Sequence, residues 1–563
     1  MQSVSSKADQ VPPAAKTSNS NNIISEMDGH NSNNLSTASD TEGFSIGKEY
    51  DSEIEPSQLD WDDKYDMDNP HNWSAWKKWS TVMVAAFLAL VVTMGSSSYM
   101  SAVPEFVTRY KVDRTLAISG LTFYLLGLAN VVGAPLSEVY GRKPVYLYSL
   151  PISLLFALGV GFSDGKMRIV LPLRFLSGVF ASPALSVASG TIADIFDMDE
   201  LSVLMTFFCL APFLGPVISP IMTGYAVENK DWRWAIWIQL LAGAAIFPFI
   251  VIMPETNKTI ILQKRAKKRG LNVRKPSAEE LRAFLKATFT TTIFRPLKML
   301  MVEPIVFVFS LYVSFVFAVL FAFFESYPLI FRQLYHFSMG NYGLTFLGIS
   351  VGLWIGSAFY IWYDRRYLFP KAPAGTPPLD LPTSSRTTPF RGHRDENGNI
   401  VPLKPESIMF VAKVGSVALP AALFWIGWSA KPSVHWMVPL AAGVPFGFSL
   451  VLIFFSVLMY FTMSYPPLVV ASAMAANNMM RYVFSCTFPL FTIQMYEKLG
   501  IDWASSVFAF ISLAMVPVPW LFSKYGERLR KRSVFGYHAM HAKPADPTVD
   551  VEKENEHQEA ARV

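Results

Sequence analysis

The chain has 563 residues, of which 52% are hydrophobic and only 16% are charged, with a formal net charge of +5. Soluble domains carry about 25% charged residues, so this composition excludes an ordinary soluble enzyme and favours a protein that crosses a bilayer many times, at about 20 apolar residues a crossing. Cys209 and Cys486 both lie in apolar stretches, which argues against a disulfide framework, a metal site and redox chemistry. We therefore expect no cofactor and no metal.

Residues 1–76 are rich in Ser, Asn, Asp and Glu. They contain 14 acidic and four basic residues, a balance of −10, which leaves +15 for the rest of the chain. A segment of this kind buries too little apolar surface to offset its chain entropy. The sequence predicts a disordered acidic tail over 1–76, with no cleavable signal at its start.

Apolar runs long enough to span a bilayer begin at Trp79 and alternate with short polar breaks. Six predicted spans are followed by a polar interval at 254–302 and then by six more. This pattern predicts an all-α membrane protein with twelve transmembrane helices. The predicted spans lie near 79–101, 115–137, 144–163, 168–193, 201–224, 232–253, 303–327, 339–363, 407–430, 434–462, 467–492 and 503–523.

The interval 254–302 holds 12 Lys or Arg residues against three acidic ones. Because basic loops stay on the cytoplasmic side of a membrane, this linker is predicted to be cytosolic. An even number of spans then puts both termini in the cytosol, including a tail at 524–563 that begins with a basic cluster. The same rule places the loop 364–406 in the cytosol.

The two halves of the chain resemble each other at a constant offset of 223 residues. The sequence Gly-Leu-Thr-Phe at 120–123 recurs at 343–346, and Gly133 and Arg142 recur as Gly356 and Arg365. Each half holds an even number of predicted spans, so both copies have the same orientation in the membrane. The repeat predicts two parallel six-helix bundles, at 77–253 and 303–523, with a cavity between them.

The segment 133–143 runs from the end of the second predicted span into a short turn. Gly133 allows close helix approach and Gly141 permits a tight turn. Glu138 and Arg142, next to Lys143, are placed to form a charge-assisted latch at the cytosolic mouth, which would bias a two-state equilibrium. The alternative is a basic turn that only fixes topology.

The fifth predicted span carries a series of small residues and prolines. Gly215 and Ser219 belong to a row of small side chains at four-residue spacing, along which another helix can pack closely. Pro216 and Pro220 each follow one residue later and remove backbone hydrogen bonds. This seam is a candidate for closing the outer mouth, and simple helix packing is the alternative.

These motifs resemble the signatures of the major facilitator superfamily. The pattern Gly, acid, Gly-Arg-Lys at 133–143 is similar to its best-known motif, Arg174 with Gly178 to a second, and 215–220 to one associated with antiporters, in which Ser219 replaces a glycine. Further segments are similar to fungal drug:proton antiporters of the twelve-span class, and the likeness covers about 69–530. These segments are 69–73, 232–237, 254–256 and 471–481.

Charged residues within apolar spans are costly unless they are paired or face water. Arg174 is therefore expected to point inward and to tune proton transfer or substrate binding, or else to serve as a buried hydrogen-bond donor. Asp194, Glu325 and Arg481 are the other candidates for coupling, although Glu325 lies near a span end and fits an interfacial carboxylate equally well. The first span, 79–101, contains no Asp, Glu or His, so proton coupling is expected to use another group.

A polyspecific cavity is expected to combine aromatic and flexible apolar side chains with few charges. The seventh and eleventh predicted spans offer such side chains as candidate cavity residues, with packing as the alternative for the aromatic ones. They are Phe321, Phe324, Tyr327, Asn477 and Asn478.

The resemblance implies a secondary transporter that exports hydrophobic or cationic drugs by proton antiport through alternating access. A carrier of one physiological solute, such as a polyamine or a sugar derivative, is the alternative, followed by a non-transporting membrane sensor. No Walker, GxSxG or HExxH pattern is present, which argues against an enzyme. The expected partners are protons, a small-molecule substrate and lipid, without nucleic acid. We expect a monomer, and the resemblance favours the plasma membrane over the vacuole.

Overall fold

A computed structural model describes residues 59–536, except for 130–132, 272–273, 275–276, 374–375, 377–388, 390, 396–399 and 402. The described residues are helical apart from turns and loops, and their single β-bridge joins Arg394 to Ile400. They all belong to one compact unit. The predicted all-α class is confirmed, whereas the predicted tail over 1–58 lies outside the described residues.

Ten described helices are long and apolar enough to cross a membrane, and a bent pair supplies an eleventh crossing. The last of the ten has 63 residues, about 95 Å of helix at 1.5 Å per residue, and a φ of +80° at Gly500 breaks it into two. The structure is thus consistent with twelve predicted spans. In chain order, spans 1–12 are Ala75–Arg109, Arg114–Leu128 with Gly133–Tyr140, Arg142–Gly161, Met167–Ala193, Asp199–Asn229, Trp234–Ile252, Pro304–Leu334, Met339–Leu368, Pro405–Ser429, Met437–Ser464, and the two parts of Val469–Lys531, 469–499 and 501–531.

The linker between the halves contains two helices, Lys258–Lys268 and Ala278–Val302. Asn257 caps the first helix by accepting a hydrogen bond from the Ile260 amide, and Ser277 forms a reciprocal capping box with Glu280 at the second. Such caps satisfy amides that have no partner within the helix.

Residues 59–73, which we call the strap, precede span 1 and fold against the first linker helix. The Arg265 guanidinium contacts both Asp62 and Asp66, and Arg269 contacts Asp62 again. The Asn72 side chain donates to the carbonyls of Lys64 and Asp66 at 2.9 Å. The prediction of disorder up to residue 76 is therefore wrong for the strap, because its acidic residues find cationic partners 199 to 207 residues later.

We call the end of the molecule that carries the strap, the linker and the end of span 12 the tail end. The turn between spans 2 and 3 also lies there, because Glu255, at the start of the linker, accepts hydrogen bonds from the Arg142 and Lys143 amides at 2.8 and 3.2 Å. The opposite end, where span 2 begins and span 7 ends, is the far end.

Candidate functional site

An ion pair joins the two halves at the far end. Arg114 begins the helix of span 2 directly after Asp113, whose carboxylate caps that helix. Its guanidinium donates to the Glu325 carboxylate of span 7 at 3.2 Å. Glu325 is only 2% exposed, and Arg114 is its one ionic partner among the described residues. A buried carboxylate needs such a partner to stay charged, so this pair fixes the two halves against each other.

Spans 5 and 8 also meet at the far end. The Glu228 carboxylate accepts hydrogen bonds from the Gly340 amide at 2.7 Å and from the Ser338 hydroxyl at 3.2 Å. A β-carbon added at Gly343 would collide with the Pro220 carbonyl oxygen. The backbones of the two spans therefore approach so closely that glycine is required at 343.

The span 5 motif contacts different halves of the chain at its two ends. Gly215 packs against span 1, where a β-carbon would meet the Thr93 hydroxyl and the Leu90 carbonyl at 2.7 Å. The Ser219 hydroxyl is buried and has no hydrogen-bond partner in the described part of the chain. Pro216 and Pro220 lie within one continuous helix, Met198–Asn229. The seam thus contacts span 1 at Gly215 and span 8 from Pro220 onward.

At the tail end, the pairing predicted for Arg142 is wrong. Its Nε donates to the carboxylate of Asp194, which directly follows span 4, at 3.1 Å, and its NH1 donates to the Ser137 hydroxyl at 2.5 Å. Glu138 is exposed on the surface of span 2 and pairs with no described residue in this conformation. The helix that carries Glu138 ends before Gly141, which turns the chain ahead of Arg142. The two side chains therefore do not share a helix face, whereas Asp194 reaches Arg142 from the end of span 4.

The turn that carries Arg142 is shaped by two glycines. Gly141 has a φ of +97°, which a residue with a β-carbon rarely adopts. A β-carbon at Gly133 would meet the Pro183 backbone at 2.6 Å, so spans 2 and 4 touch there. The Lys143 ammonium donates to the Val251 carbonyl at 2.6 Å. The motif thus links spans 2, 3, 4 and 6 at the tail end.

The pKa of Asp194 is raised. Burial of the carboxyl is the largest cause and outweighs the opposing effects of the Arg142 charge and of hydrogen bonds from Arg142 and Thr256. Asp194 therefore takes up a proton at a higher pH than an exposed aspartate, and protonation weakens its attraction to Arg142.

A second tail-end contact joins the halves through spans 5 and 8. The Ser202 hydroxyl donates to the buried Asp364 carboxylate at 2.5 Å, and the Asp199 carboxylate accepts from the Arg391 amide at 3.0 Å. Sequence reasoning missed these residues because each is an ordinary polar residue near a span end. Only their position across the interface distinguishes them.

Arg174 is fully buried in the first half. Its guanidinium donates to the carbonyls of Gly120, Gly95 and Ser96 at 3.1, 2.8 and 3.4 Å and lies 4.7 and 4.4 Å from the ring centres of Tyr99 and Tyr124. No described carboxylate pairs with it. This geometry matches the alternative prediction for Arg174, a buried hydrogen-bond donor, and it ties spans 1, 2 and 4 together.

Arg481 lies in the middle of the molecule, in span 11, and is 6% exposed. Its guanidinium sits 4.7 Å from the Phe317 ring centre and 5.2 Å from that of Phe454, and it donates to the Asn478 side chain at 2.8 Å. No described acidic residue pairs with it. Phe213 of span 5 packs edge-on against the same two rings, at 5.6 and 4.9 Å, so this cation stands where the two halves meet.

The remaining candidate cavity residues are buried. The rings of Phe321, Phe324 and Tyr327 pack against other rings of the second half, including Phe346, which lies 5.0 Å from Phe324 and 4.9 Å from Tyr327. Asn477 donates to the Ser310 hydroxyl at 3.5 Å. These contacts agree with packing at least as well as with substrate binding.

Comparison with known proteins decides the family. Residues 85–489 match the model of the Major Facilitator Superfamily, which is more than half of the chain. The chain belongs to this superfamily. As a member of it, the chain is a multi-pass membrane transporter, and the ten or eleven crossings among its described residues are consistent with the twelve predicted spans.

Several relatives within the superfamily are fungal transporters. The chain is 65% identical over 490 residues to "Polyamine transporter 4" of Saccharomyces cerevisiae, which covers 86% of this chain and 74% of the relative. It is 35% identical to the "Major facilitator superfamily multidrug transporter mdrA" of Aspergillus fumigatus, over 85% of this chain and 76% of the relative. The solved structure of the proton:xylose symporter XylE covers 80% of this chain and 97% of its own, with a TM-score of 0.56 at 14% identity, and so shares the fold.

Proposed function

We propose that this chain carries polyamines and similar small organic cations across the plasma membrane in exchange for protons. The observation that carries the proposal is the 65% identity to a relative named as a polyamine transporter. A protein's fold does not set its substrate, but this identity is held over 490 residues, 86% of the chain. The polyamine alternative is thus favoured over drug export.

Glu325 is the best-supported residue for binding the cation. It is a buried carboxylate at the contact between the halves, and its one described ionic partner, Arg114, comes from the other half. An ammonium group or a proton that reaches Glu325 competes with the guanidinium for the same oxygens. Such competition couples binding to separation of the far ends, which alternating access needs.

Arg481 limits where a cation binds. Its positive charge lies against the Phe317 ring, eight residues before Glu325, which is about 12 Å along the helix axis. An arginine without an acidic partner among the described residues repels an ammonium group. We therefore expect the amine to bind on the far-end side of this arginine, close to Glu325.

The contacts between the halves supply a gate at each end. Arg114 with Glu325, and Glu228 with Gly340, hold the far end closed, while Ser202 with Asp364 joins the halves at the tail end. The basic linker lies at the tail end and is expected in the cytosol, so the far end faces outward. Protons then enter from outside as the substrate leaves.

Export of hydrophobic drugs is the second candidate. Aromatic rings from both halves, Phe213, Phe317 and Phe454, meet at the centre of the molecule, and such surfaces suit flat apolar compounds. The relative from Aspergillus fumigatus named as a multidrug transporter also supports this candidate.

Proteoliposomes distinguish the candidates. Purified protein is reconstituted, and movement of labelled spermidine and of a lipophilic cationic dye is followed with and without an imposed pH gradient. Gradient-driven spermidine movement that Glu325→Gln abolishes supports the proposal. Dye movement without spermidine movement favours drug export, and spermidine movement that ignores the gradient in proton-tight vesicles rules out antiport.

A further inference from the structure

A buried carboxylate at the tail end has no role in the proposed transport cycle. Glu303 immediately precedes span 7 and is 1% exposed. It accepts hydrogen bonds from the Ser533 hydroxyl at 2.9 Å, the Phe535 amide at 3.1 Å and the Tyr465 hydroxyl at 3.2 Å. No described lysine or arginine lies within ion-pair distance of it. Its charge is therefore held by three neutral donors alone.

Two of those donors belong to residues 533–536, which we call the docked segment. It follows span 12 and supplies Ser533, whose side chain is almost fully buried. The Phe535 ring lies under the Arg295 guanidinium of the second linker helix, at 5.8 Å. The docked segment thus bridges the linker and the tail ends of spans 7 and 10, and its position depends on the Ser533 and Phe535 contacts with Glu303.

Basic residues directly precede this serine. Arg530 lies three positions before Ser533 and forms a bidentate pair with Glu406 at 2.7 and 2.8 Å. Arg528 and Arg532 are exposed and make no ion pair in the described part of the chain. Their general role is to keep this end cytosolic, but a serine with arginines one, three and five residues before it also has the pattern that basic-directed serine kinases select.

We propose that Ser533 is a phosphorylation site and that its phosphorylation expels the docked segment from Glu303. The serine oxygen attacks the γ-phosphorus of a nucleoside triphosphate held by a protein serine kinase. A new oxygen–phosphorus bond forms, the bond from that phosphorus to the β–γ bridging oxygen breaks, and the nucleoside diphosphate leaves. The hydroxyl proton passes to the base of the kinase.

The added charge opposes docking directly. A phosphoserine carries about −1.5 to −2 charges near neutral pH and would stand where a neutral hydroxyl now lies 2.9 Å from a buried carboxylate. Like charges at this distance in a site shielded from water repel strongly, and the serine donor is lost as well. A short segment outside the helices opens locally, so a kinase reaches Ser533 in the open state and the phosphate prevents the segment from returning.

The test uses the full chain in lipid nanodiscs, without substrate, so that it does not depend on the proposed transport. The catalytic subunit of cAMP-dependent protein kinase with Mg-ATP is the probe. Phosphate on Ser533 is measured by mass spectrometry, and hydrogen exchange is followed at the Phe535 amide. We expect phosphorylation at Ser533 and exchange at Phe535 that is at least about tenfold faster.

Two variants separate recognition from release. Arg528→Ala with Arg532→Ala should slow phosphorylation at least about tenfold without changing Phe535 exchange in unmodified protein, because neither arginine touches Glu303. Glu303→Gln keeps an accepting oxygen but removes the charge, so the docked segment should remain better protected after phosphorylation than in the wild type. Ser533→Asp tests the same repulsion without a kinase.

Three results would overturn the proposal. If a peptide of residues 526–536 is phosphorylated while Ser533 of the full chain is not, the serine is not a site. If the phosphorylated chain shows unchanged Phe535 exchange, phosphate does not release the segment. If phosphorylated Glu303→Gln exchanges as fast as phosphorylated wild type, repulsion by Glu303 is not the cause.

Discussion

The Arg114 guanidinium at the start of span 2 donates to the Glu325 carboxylate of span 7 at 3.2 Å, across the contact between the two halves. The two residues lie 211 positions apart in the sequence. Arg114 is 38% exposed on its side chain, whereas Glu325 is 3% exposed. Water can solvate the Arg114 guanidinium, but the buried Glu325 carboxylate depends on that guanidinium to balance its charge. Any species that displaces Arg114 must therefore itself be a cation.

Glu325→Gln is expected to reduce spermidine transport at least about tenfold. A hydrogen bond to a charged group contributes about 1.5–3 kcal/mol, and 1.4 kcal/mol corresponds to a factor of ten. The measurement is the initial rate in proteoliposomes at equal protein content. Glu497→Gln is the matched control, because Glu497 is an exposed carboxylate of span 11. Equal rates in the Glu325 variant and wild type would remove this residue from the mechanism.

Much of the fold could be predicted from the sequence, because span length and the internal repeat are properties of apolar runs along the chain. The ion-pair and hydrogen-bond partners of charged residues are harder to predict. The sequence predicts that Arg142 pairs with Glu138, four residues away, but Arg142 pairs with Asp194, which the fold brings from 52 residues away. Its amide also contacts Glu255 across 113 residues. Glycine positions such as Gly141 were predictable, since they depend on the local backbone.

Arg174→Lys is expected to lower the free energy of unfolding by about 2 kcal/mol or more. Lysine cannot reach three carbonyls in the fixed fork of a guanidinium or stack between Tyr99 and Tyr124 in the same way, and unmet buried acceptors cost about 1–3 kcal/mol each. Thermal unfolding in detergent measures the loss. Arg168→Lys, an exposed arginine in the same span, should leave the midpoint unchanged. A variant at 174 as stable as wild type but inactive would favour the coupling role predicted from the sequence.

Asp194→Asn is expected to remove part of the pH dependence of stability. The raised pKa of Asp194 means that the folded protein holds this proton more tightly than the unfolded chain. Proton binding by Asp194 therefore stabilises the folded protein fully below the ordinary aspartate pKa, and this stabilisation is lost as the pH rises through the raised pKa of Asp194. The wild type should lose stability relative to the variant as the pH rises above the ordinary aspartate pKa of about 4, measured by thermal unfolding. Asp164→Asn, at an exposed site, is the control, and parallel profiles for wild type and Asp194→Asn would contradict the assignment.

Arg265→Ala is expected to release the strap. Its guanidinium is the common partner of Asp62 and Asp66, and its loss leaves the buried Asp66 carboxylate without an ion-pair partner among the described residues. Hydrogen exchange at the Trp73 amide should therefore accelerate several-fold.

Acid should release the strap in the wild type as well. The pKa of Asp62 is lowered, chiefly by its hydrogen bond from Arg269. For Asp66 burial acts in the opposite direction, but hydrogen bonds from Arg265 and from backbone amides outweigh it and lower its pKa too. A carboxylate with a depressed pKa stabilises the folded strap above the ordinary aspartate pKa, and this stabilisation is lost as the pH falls through the lowered pKa. The strap should therefore stay bound near neutrality.

The control for Arg265→Ala is Lys264→Ala, on an exposed neighbour, which should not change exchange at the Trp73 amide. If Arg265→Ala behaves like this control, the strap is held by Asn72 and packing instead of by charge.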